Sequence, residues 1–277
     1  MIMNGKGFEP RENNGVLYYE IAPWREKYPK VRAVFSSRIG GVSEGERATM
    51  NLSFKRADTK EQVEENYRRL CRAAGLNEEK LVLTRQVHED TILTVDEAWT
   101  AFGAPDEAHP IDADGLMTDL AGVVLVKHFA DCVPLFFYDP EHHAVAMTHA
   151  GWRGTALHIG TKTVRAMRER FGTDPKKLAA AIGPSIGPCC FEVDRPVRDA
   201  FAESYGVEKA GIADHENGKS HVDLWQANKN DLLDAGLTQD NITVAGICTS
   251  CHPAEFYSHR RDHGKTGTLA GLISLLD

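Results

Sequence analysis

The sequence predicts an α+β fold: mixed β-sheets in one domain, with helices on the outer faces. Three observations predict it. Helical and strand patterns are interspersed, yet several strands follow one another with no helix between them; a doubly wound parallel sheet would alternate the two. No run of linker composition and no repeat of about 20 to 50 residues interrupts the chain, so residues 1–277 read as one domain. Its 277 residues, 42% hydrophobic, suffice for a sizeable core.

The helices come first. Thr59 and Gln62 form a T-x-x-Q capping box, so donors at the helix start find acceptors. Val63, Tyr67, Leu70 and Ala74 follow at helical spacing, and Gly75 is a stop. A second helix is predicted over 155–171, with Leu157, Val164, Met167 and Phe171 on one side and Gly172 after it. A third starts at Asp223, has Gln226 three residues on, and stops at Gly236; a weaker one covers 196–205. Strands are predicted at 31–36, 91–95, 123–127, 133–138, 144–148, 179–182 and 242–247, all short, β-branched or apolar, and bounded by Gly, Pro or Asp. Residues 39–48, 101–110 and 211–219 read as loops.

Composition excludes several function classes. Lys plus Arg is 32 and Asp plus Glu is 40, a formal charge of −8, which argues against a nucleic-acid partner. The longest apolar stretch, 121–137, is interrupted by Lys127, His128, Asp131 and Pro134. It falls short of the roughly 20 apolar residues of a membrane span. The first ten residues lack the apolar segment of a signal peptide. A cytosolic protein without a membrane partner is therefore expected. Its 6 Cys and 12 His then read as thiols or metal ligands before structural disulfides.

Five segments bear on chemistry. Met147-Thr-His149-Ala-Gly-Trp-Arg153-Gly154 follows a strand and opens a helix; the glycines permit a tight turn, and the helix start with Arg153 suits an anion. A plain strand–helix turn explains it equally well. Ala130-Asp131-Cys132-Val-Pro134 places a thiol beside a carboxylate, either a metal ligand or nucleophile, or an inert buried Cys. Gln86-Val-His88 supplies an imidazole. If His88, Cys132 and His149 converge, two imidazoles and one thiolate suit Zn²⁺ with one open position, the catalytic arrangement, and hydroxide at neutral pH. Asp112, Asp114 and Asp131 are nearby carboxylates; Asp112 is read as a loop cap, and Asp114 or Asp131 as a proton carrier. Cys189 and Cys190, in the Gly/Pro-rich run 183–192, read as free thiols. Cys248-Thr-Ser-Cys251-His252 matches a haem-attachment pattern, which is discounted without an export signal; a structural zinc shared with Cys189 and Cys190 is the less favoured reading.

These segments together resemble the YlmD/YfiH-like family, once labelled multicopper polyphenol oxidase or laccase domain and now described as purine nucleoside phosphorylase. The resemblance runs from Val34 almost to the C-terminus. It includes Phe35-Ser-Ser-Arg38, Gln86-Val-His88, Asp112-Ala-Asp114-Gly115, Ala130-Asp-Cys132-Val-Pro134, His149-Ala-Gly-Trp-Arg-Gly154, Gly183-Pro-Ser-Ile-Gly-Pro-Cys189 and Phe256-Tyr-Ser-His259-Arg260. It implies a four-layer α-β-β-α sandwich and zinc ligands at His88, Cys132 and His149. It implies phosphorolysis of adenosine, inosine, guanosine and S-methyl-5′-thioadenosine, plus deamination of adenosine. Two positions depart from the family pattern: Ser37 stands for Thr, and Thr268 stands for Arg.

The expected partners are therefore purine nucleosides and inorganic phosphate, and the expected metal is Zn²⁺, with Cu²⁺ as the alternative. In deamination, hydroxide would attack C6 of adenine while Asp131 or Asp114 protonates the leaving amine. In phosphorolysis, Arg38, Arg153 and the helix after Gly154 would hold phosphate beside a cationic sugar. Other readings are a cysteine hydrolase, with Cys132 as nucleophile and His149 or His88 as base, a copper-dependent phenol oxidase, and a non-catalytic metal-binding module.

Overall fold

A computed structural model describes residues 7–55, 58–97 and 111–276. The loop expected at 101–110 lies outside the described residues. Two six-stranded sheets pack face to face. The first runs β1 (Phe8–Asn13), β2 (Val16–Ile21), β3 (Val31–Ser36), β15 (Leu269–Leu275), β7 (Val124–Phe129) and β4 (Leu81–Val82). The second runs β14 (Ile242–Val244), β10 (Ala179–Ile182), β8 (Val133–Asp139), β9 (Ala144–Ala150), β6 (Gly115–Thr118) and β5 (Ile92–Thr94). Both are mixed: β4–β7, β10–β14 and β5–β6 pair in parallel among antiparallel neighbours. A small sheet of β11 (Glu192–Val193), β13 (Ser220–His221) and β12 (Ala213–Asp214) sits apart.

Side-chain alternation along the strands builds the layers. In β15, Leu269, Ile273 and Leu275 enter the core between the sheets, while Ala270 and Leu272 enter the core on the other face. That outer core is covered by α2 (Lys60–Ala74) through Val63, Tyr67 and Leu70. On the far side, Ala144 and Ala146 of β9 pack with Val164 and Met167 of α4 (Ile159–Phe171), and with residues of α5 (Arg195–Tyr205) and α6 (Leu224–Asp234). The result is the expected α-β-β-α sandwich. Between the sheets, a Cβ on Gly271 would lie 2.0 Å from Met147 Cε, so a larger residue there would displace the end of the Met147 side chain.

Local signals explain most boundaries. The capping box of α2 is formed, with Thr59 Oγ1 accepting from Gln62 N–H and Gln62 Oε1 from Thr59 N–H. Gly75 ends the helix in the left-handed region. Three expectations need correction. The helix predicted over 155–171 is two helices, α3 (Trp152–Ala156) and α4. His158 breaks it with φ 59, and Asp231 holds that bend through His158 Nδ1 at 2.8 Å. The strand predicted to 247 ends at Val244, ahead of Gly246 with φ 63. The β1–β2 hairpin was not expected, although Asn14-Gly15, both at positive φ, is a strong hairpin signal. A short helix, α1 (Ala22–Lys27), follows β2.

Candidate metal centre and cavity

His149 lies on β9, on the face turned toward the other sheet, with its ring 5.5 Å from that of Phe129. Cys132 sits in the tight connection between β7 and β8. His88 sits in the segment between β4 and β5. The structure brings the three together: their ligand atoms lie within 4.8 Å of one another. A Cβ on Gly151 would stand 3.3 Å from Cys132 Sγ, 3.3 Å from His88 Cδ2 and 3.4 Å from His149 Cε1. The donors thus surround a space that one added methyl would crowd. Two imidazoles and a thiol fit a borderline metal ion such as zinc by donor type and by number.

Asp114 organises this centre. It is fully buried. Its carboxylate accepts from the N–H groups of Val87, His88 and Glu89 at 3.0, 3.2 and 3.1 Å, and from His149 Nδ1 at 2.8 Å. Three consecutive N–H groups turned onto one carboxylate form a nest, which holds His88 at φ 63. That conformation costs about 1–2 kcal/mol for a non-glycine residue, so the nest has a defined task. The bond to Nδ1 leaves His149 Nε2 toward Cys132 and His88, the orientation a ligating imidazole takes. Burial pushes the Asp114 carboxyl up, but hydrogen bonding and charge from His149 and the N–H groups of Glu89 and Val87 outweigh it and hold it below the usual range. Burial lowers the pKa of His149, and its bond to Asp114 opposes that only in part. The shift favours the neutral imidazole, the form that binds metal.

Asp131 is also at positive φ, 84°. Its carboxylate accepts from Thr249 Oγ1 at 2.7 Å, Ser258 Oγ at 2.9 Å and Arg260 N–H at 2.7 Å, and its backbone oxygen accepts from Ile186 N–H at 2.9 Å. It ties the Cys132 turn to three separate segments. Burial first, then the charges of Asp131 and Asp114, push the Cys132 thiol up to about 12.

The three donors open onto a cavity of about 910 Å³. Phe54, Phe129, Trp152 and Phe191 give it aromatic walls. Among the described residues, Lys55, Arg85, Arg153 and Arg260 line it against one carboxylate, Asp131, so this lining is cationic in a chain of net charge −8. Arg153 stacks over Trp152 at 4.4 Å, and Arg260 over Phe191 at 5.4 Å. Arg85 pairs with Asp112 at 2.5 and 2.7 Å.

Arg38 is not brought to this cavity. Its guanidinium lies 4.7 Å over the Tyr257 ring and donates to the Ala48 and Pro253 carbonyls. The helix that follows Gly151 is a single turn, with Gly154 inside it. It lacks the aligned peptides that build a helix dipole, which corrects the expectation of a strong anion-binding terminus there. Of the two departures, Ser37 donates to Leu17 O and accepts from Ile39 N–H in the fold, whereas Thr268 lies on the cavity wall.

Sequence reasoning overlooked Lys127 and His128 as site residues. Alternation along β7 turns Lys127 inward between the sheets. There it bonds to Thr84 Oγ1 and, at 2.6 Å, to Ala113 O. Burial lowers its pKa to about 7 against the opposing charge of Asp114. His128 faces α2, pairs with Tyr67 Oη at 2.7 Å and lines the cavity; burial above all lowers its pKa to about 4. The Gln86 side chain bonds both backbone groups of His128, at 2.7 and 2.8 Å. The signal was present: these are polar breaks in the 121–137 apolar run.

A second donor group lies elsewhere: Cys189, Cys190, Cys248 and Cys251 also converge within 4.8 Å.

Comparison with known proteins places this architecture. Residues 32–276 match the family described as multi-copper polyphenol oxidoreductase laccase. The chain is 36% identical over 263 residues to the purine nucleoside phosphorylase YlmD of Bacillus subtilis (strain 168), covering 94% of each. It is 34% identical over 204 residues to the adenosine deaminase RL5 of an unknown prokaryotic organism, covering 72% of this chain and 78% of that one. The crystal structure of YlmD from Geobacillus stearothermophilus superposes with a TM-score of 0.90 at 36% identity, covering 98% of this chain and 99% of that one. The chain therefore belongs to the laccase-like family that includes YlmD.

Proposed function

We propose that this protein is a zinc-dependent purine nucleoside enzyme of the cytosol. In this reading it cleaves adenosine, inosine, guanosine and S-methyl-5′-thioadenosine with phosphate, and also deaminates adenosine to inosine. The observation that carries the reading is the convergence of His88, Cys132 and His149 on a cavity whose walls are aromatic and cationic. Similarity to proteins named purine nucleoside phosphorylase and adenosine deaminase supports the substrate class. The volume lies within the ordinary range for small-molecule sites, about 300–1,000 Å³.

Each element of the chain then has a task. His88, Cys132 and His149 hold the metal. When bound, zinc supplies Lewis acidity and lowers the pKa of a water to about 7. Asp114 fixes the tautomer and direction of His149 and the turn of His88, and acts as a positioning residue. Asp131 is the carboxylate on the cavity wall, and we assign it the transfer of a proton: it accepts one from the attacking water and passes it to the leaving amine. Phe54 and Trp152, half-buried on the cavity wall, offer flat faces to a purine. Arg153 and Arg260 take the phosphate by charge-assisted bonds, with Arg38 left to the fold. The aromatic lining around the base limits bulk water near the sugar while positive charge develops there.

Two observations weigh against the alternatives. A thiol held near 12 by burial and two carboxylates is a poor free nucleophile, which disfavours a cysteine hydrolase. A His₂Cys set accepts copper as well as zinc. The other donor group among the described residues is all cysteine, however, and does not resemble the His-rich centres of multicopper oxidation.

The test is metal analysis of the purified protein together with product identification from adenosine, with and without phosphate. Zinc, with adenine and ribose 1-phosphate in the presence of phosphate and inosine in its absence, is expected. No turnover of any purine nucleoside, or turnover by fully metal-free protein, overturns the reading.

A further inference from the structure

The cluster of Cys189, Cys190, Cys248 and Cys251 lies outside the cavity and has no part in the scheme above. Cys189 and Cys190 sit in the loop between β10 and β11; Cys248 and Cys251 sit in the segment after β14. All four are free thiols. Cys251 Sγ is 3.6 Å from Cys189 Sγ and 3.4 Å from Cys190 Sγ, and all four sulfurs fall within 4.8 Å of one another. A tetrahedron with metal–sulfur bonds of about 2.3 Å has sulfur–sulfur edges of about 3.8 Å. The observed spacing is close to that edge.

The backbone around the sulfurs is built for closure. Cys251 N–H bonds to Cys248 O at 3.2 Å, closing the C-x-x-C turn, and Cys190 N–H bonds to Gly187 O at 3.0 Å, closing the other. Gly187 N–H donates to Cys248 Sγ at 3.3 Å, the outer contact that orients a thiolate ligand. A Cβ on Gly187 would stand 3.3 Å from Cys189 Sγ and 2.7 Å from the Trp225 ring, so glycine keeps that approach open. The two loops are laced together by Ser185 N–H to Ile247 O and Thr249 N–H to Ser185 O, both at 3.1 Å. Two guanidinium groups sit on the same loops: Arg260 donates to Cys190 O and Glu192 O, and Arg261 to Thr249 O and Ser250 O. Four thiolates around a divalent ion carry a net charge of −2, and these cations offset it.

We propose that Cys189, Cys190, Cys248 and Cys251 form a second metal centre, which binds one Zn²⁺ as a closed tetrathiolate. Binding releases the four thiol protons to solvent and leaves no coordination position open, so the centre is structural. Its effect reaches the cavity through the loops it joins. Ile186 and Thr249 both bond to Asp131, and Arg260, anchored on Cys190 O, lines the cavity. The tetrathiolate fixes the part of the wall formed by Asp131, Ile186 and Arg260.

The test reads zinc content and thiol state of the full-length protein and does not depend on nucleoside turnover. Wild-type protein purified under reducing conditions and saturated with Zn²⁺ should hold two ions per chain. Cys251→Ser and Cys189→Ser, both at exposed positions, should each hold one and melt at a lower temperature than wild type. Cys132→Ala should also hold one, and its cobalt form should keep the strong sulfur-to-metal absorption of a tetrathiolate, which Cys251→Ser lacks. A single ion per saturated wild-type chain, lost in Cys132→Ala, overturns the proposal. So does a disulfide among these four cysteines, found by mass spectrometry of protein purified under reducing conditions.

Discussion

His88, Cys132 and His149 present three donors to a cavity, and Cys189, Cys190, Cys248 and Cys251 present four where two loops meet. The first group is graded from exposed His88 to buried His149, and a buried carboxylate orients it. The second is oriented by turns and a backbone N–H. Donor number and outer contacts therefore separate two sites that both contain thiols. Three donors leave room for a reacting group, and the bond from Asp114 to His149 defends that geometry. Four donors complete a coordination shell and serve best as a clamp. The first site needs the sheets, because Lys127, Asp114 and His149 meet in the gap between them. The second needs only the loops.

The strongest way to break this contrast is Cys132→Ala. Turnover of adenosine should fall about 10³-fold or more, since a Lewis acid supplies several kcal/mol at the reacting centre, while the far-ultraviolet circular dichroism stays that of the wild type. Unchanged turnover would remove the distinction. Asp114→Asn comes next. Loss of an orienting carboxylate typically costs about 10–100-fold in metal affinity or activity, read by zinc titration. The amide would also turn a donor toward the N–H groups of Val87, His88 and Glu89, at about 1–3 kcal/mol of stability, read by urea unfolding. Arg153→Ala should raise the phosphate KM about tenfold, the equivalent of one charge-assisted bond, and affect deamination less. Arg38→Ala should leave the phosphate KM unchanged, because Arg38 is spent on Ala48, Pro253 and Tyr257. Equal effects in both variants would contradict the placement of phosphate.

The last effect concerns stability and pH. Lys127 titrates near 7 when folded and at 10.5 when exposed. Between those values the unfolded chain binds more protons, so stability rises with pH across that window and is lost again as pH falls through 7. Lys127→Met should flatten that slope in thermal melts between pH 7 and 10. An unchanged slope would show that Lys127 is not the group responsible.

The sequence made much of this readable. The α2 box at Thr59 and Gln62, the stop at Gly75 and the strand at 31–36 are local signals, and they survive packing intact. The convergence of His88, Cys132 and His149 was suggested by donor chemistry and named by resemblance, since their separations match no short motif. Arg38 was expected at the phosphate, and charge alone says nothing about the Ala48 and Pro253 carbonyls that its guanidinium meets. Asp114 was noticed as a carboxylate, but its nest of three N–H groups depends on the backbone turn at His88, which no local pattern announces. Lys127 was read as an interruption of an apolar run. The more informative reading asks why a strand buried on both faces retains a cation. The C-x-x-C-H pattern was discounted as haem chemistry, and a zinc shared with Cys189 and Cys190 stood as the less favoured reading, because nothing in their spacing along the chain says that the two loops meet.

The central claim is that the three-donor centre holds the metal on which turnover depends, and the four-cysteine group does not. The most direct test measures adenosine turnover, in the presence of phosphate, as zinc is added back to chelator-stripped Cys251→Ser protein. The account predicts that activity returns in proportion to metal and saturates at one zinc per chain. Full turnover by the stripped protein, or no recovery at one bound equivalent, would contradict it.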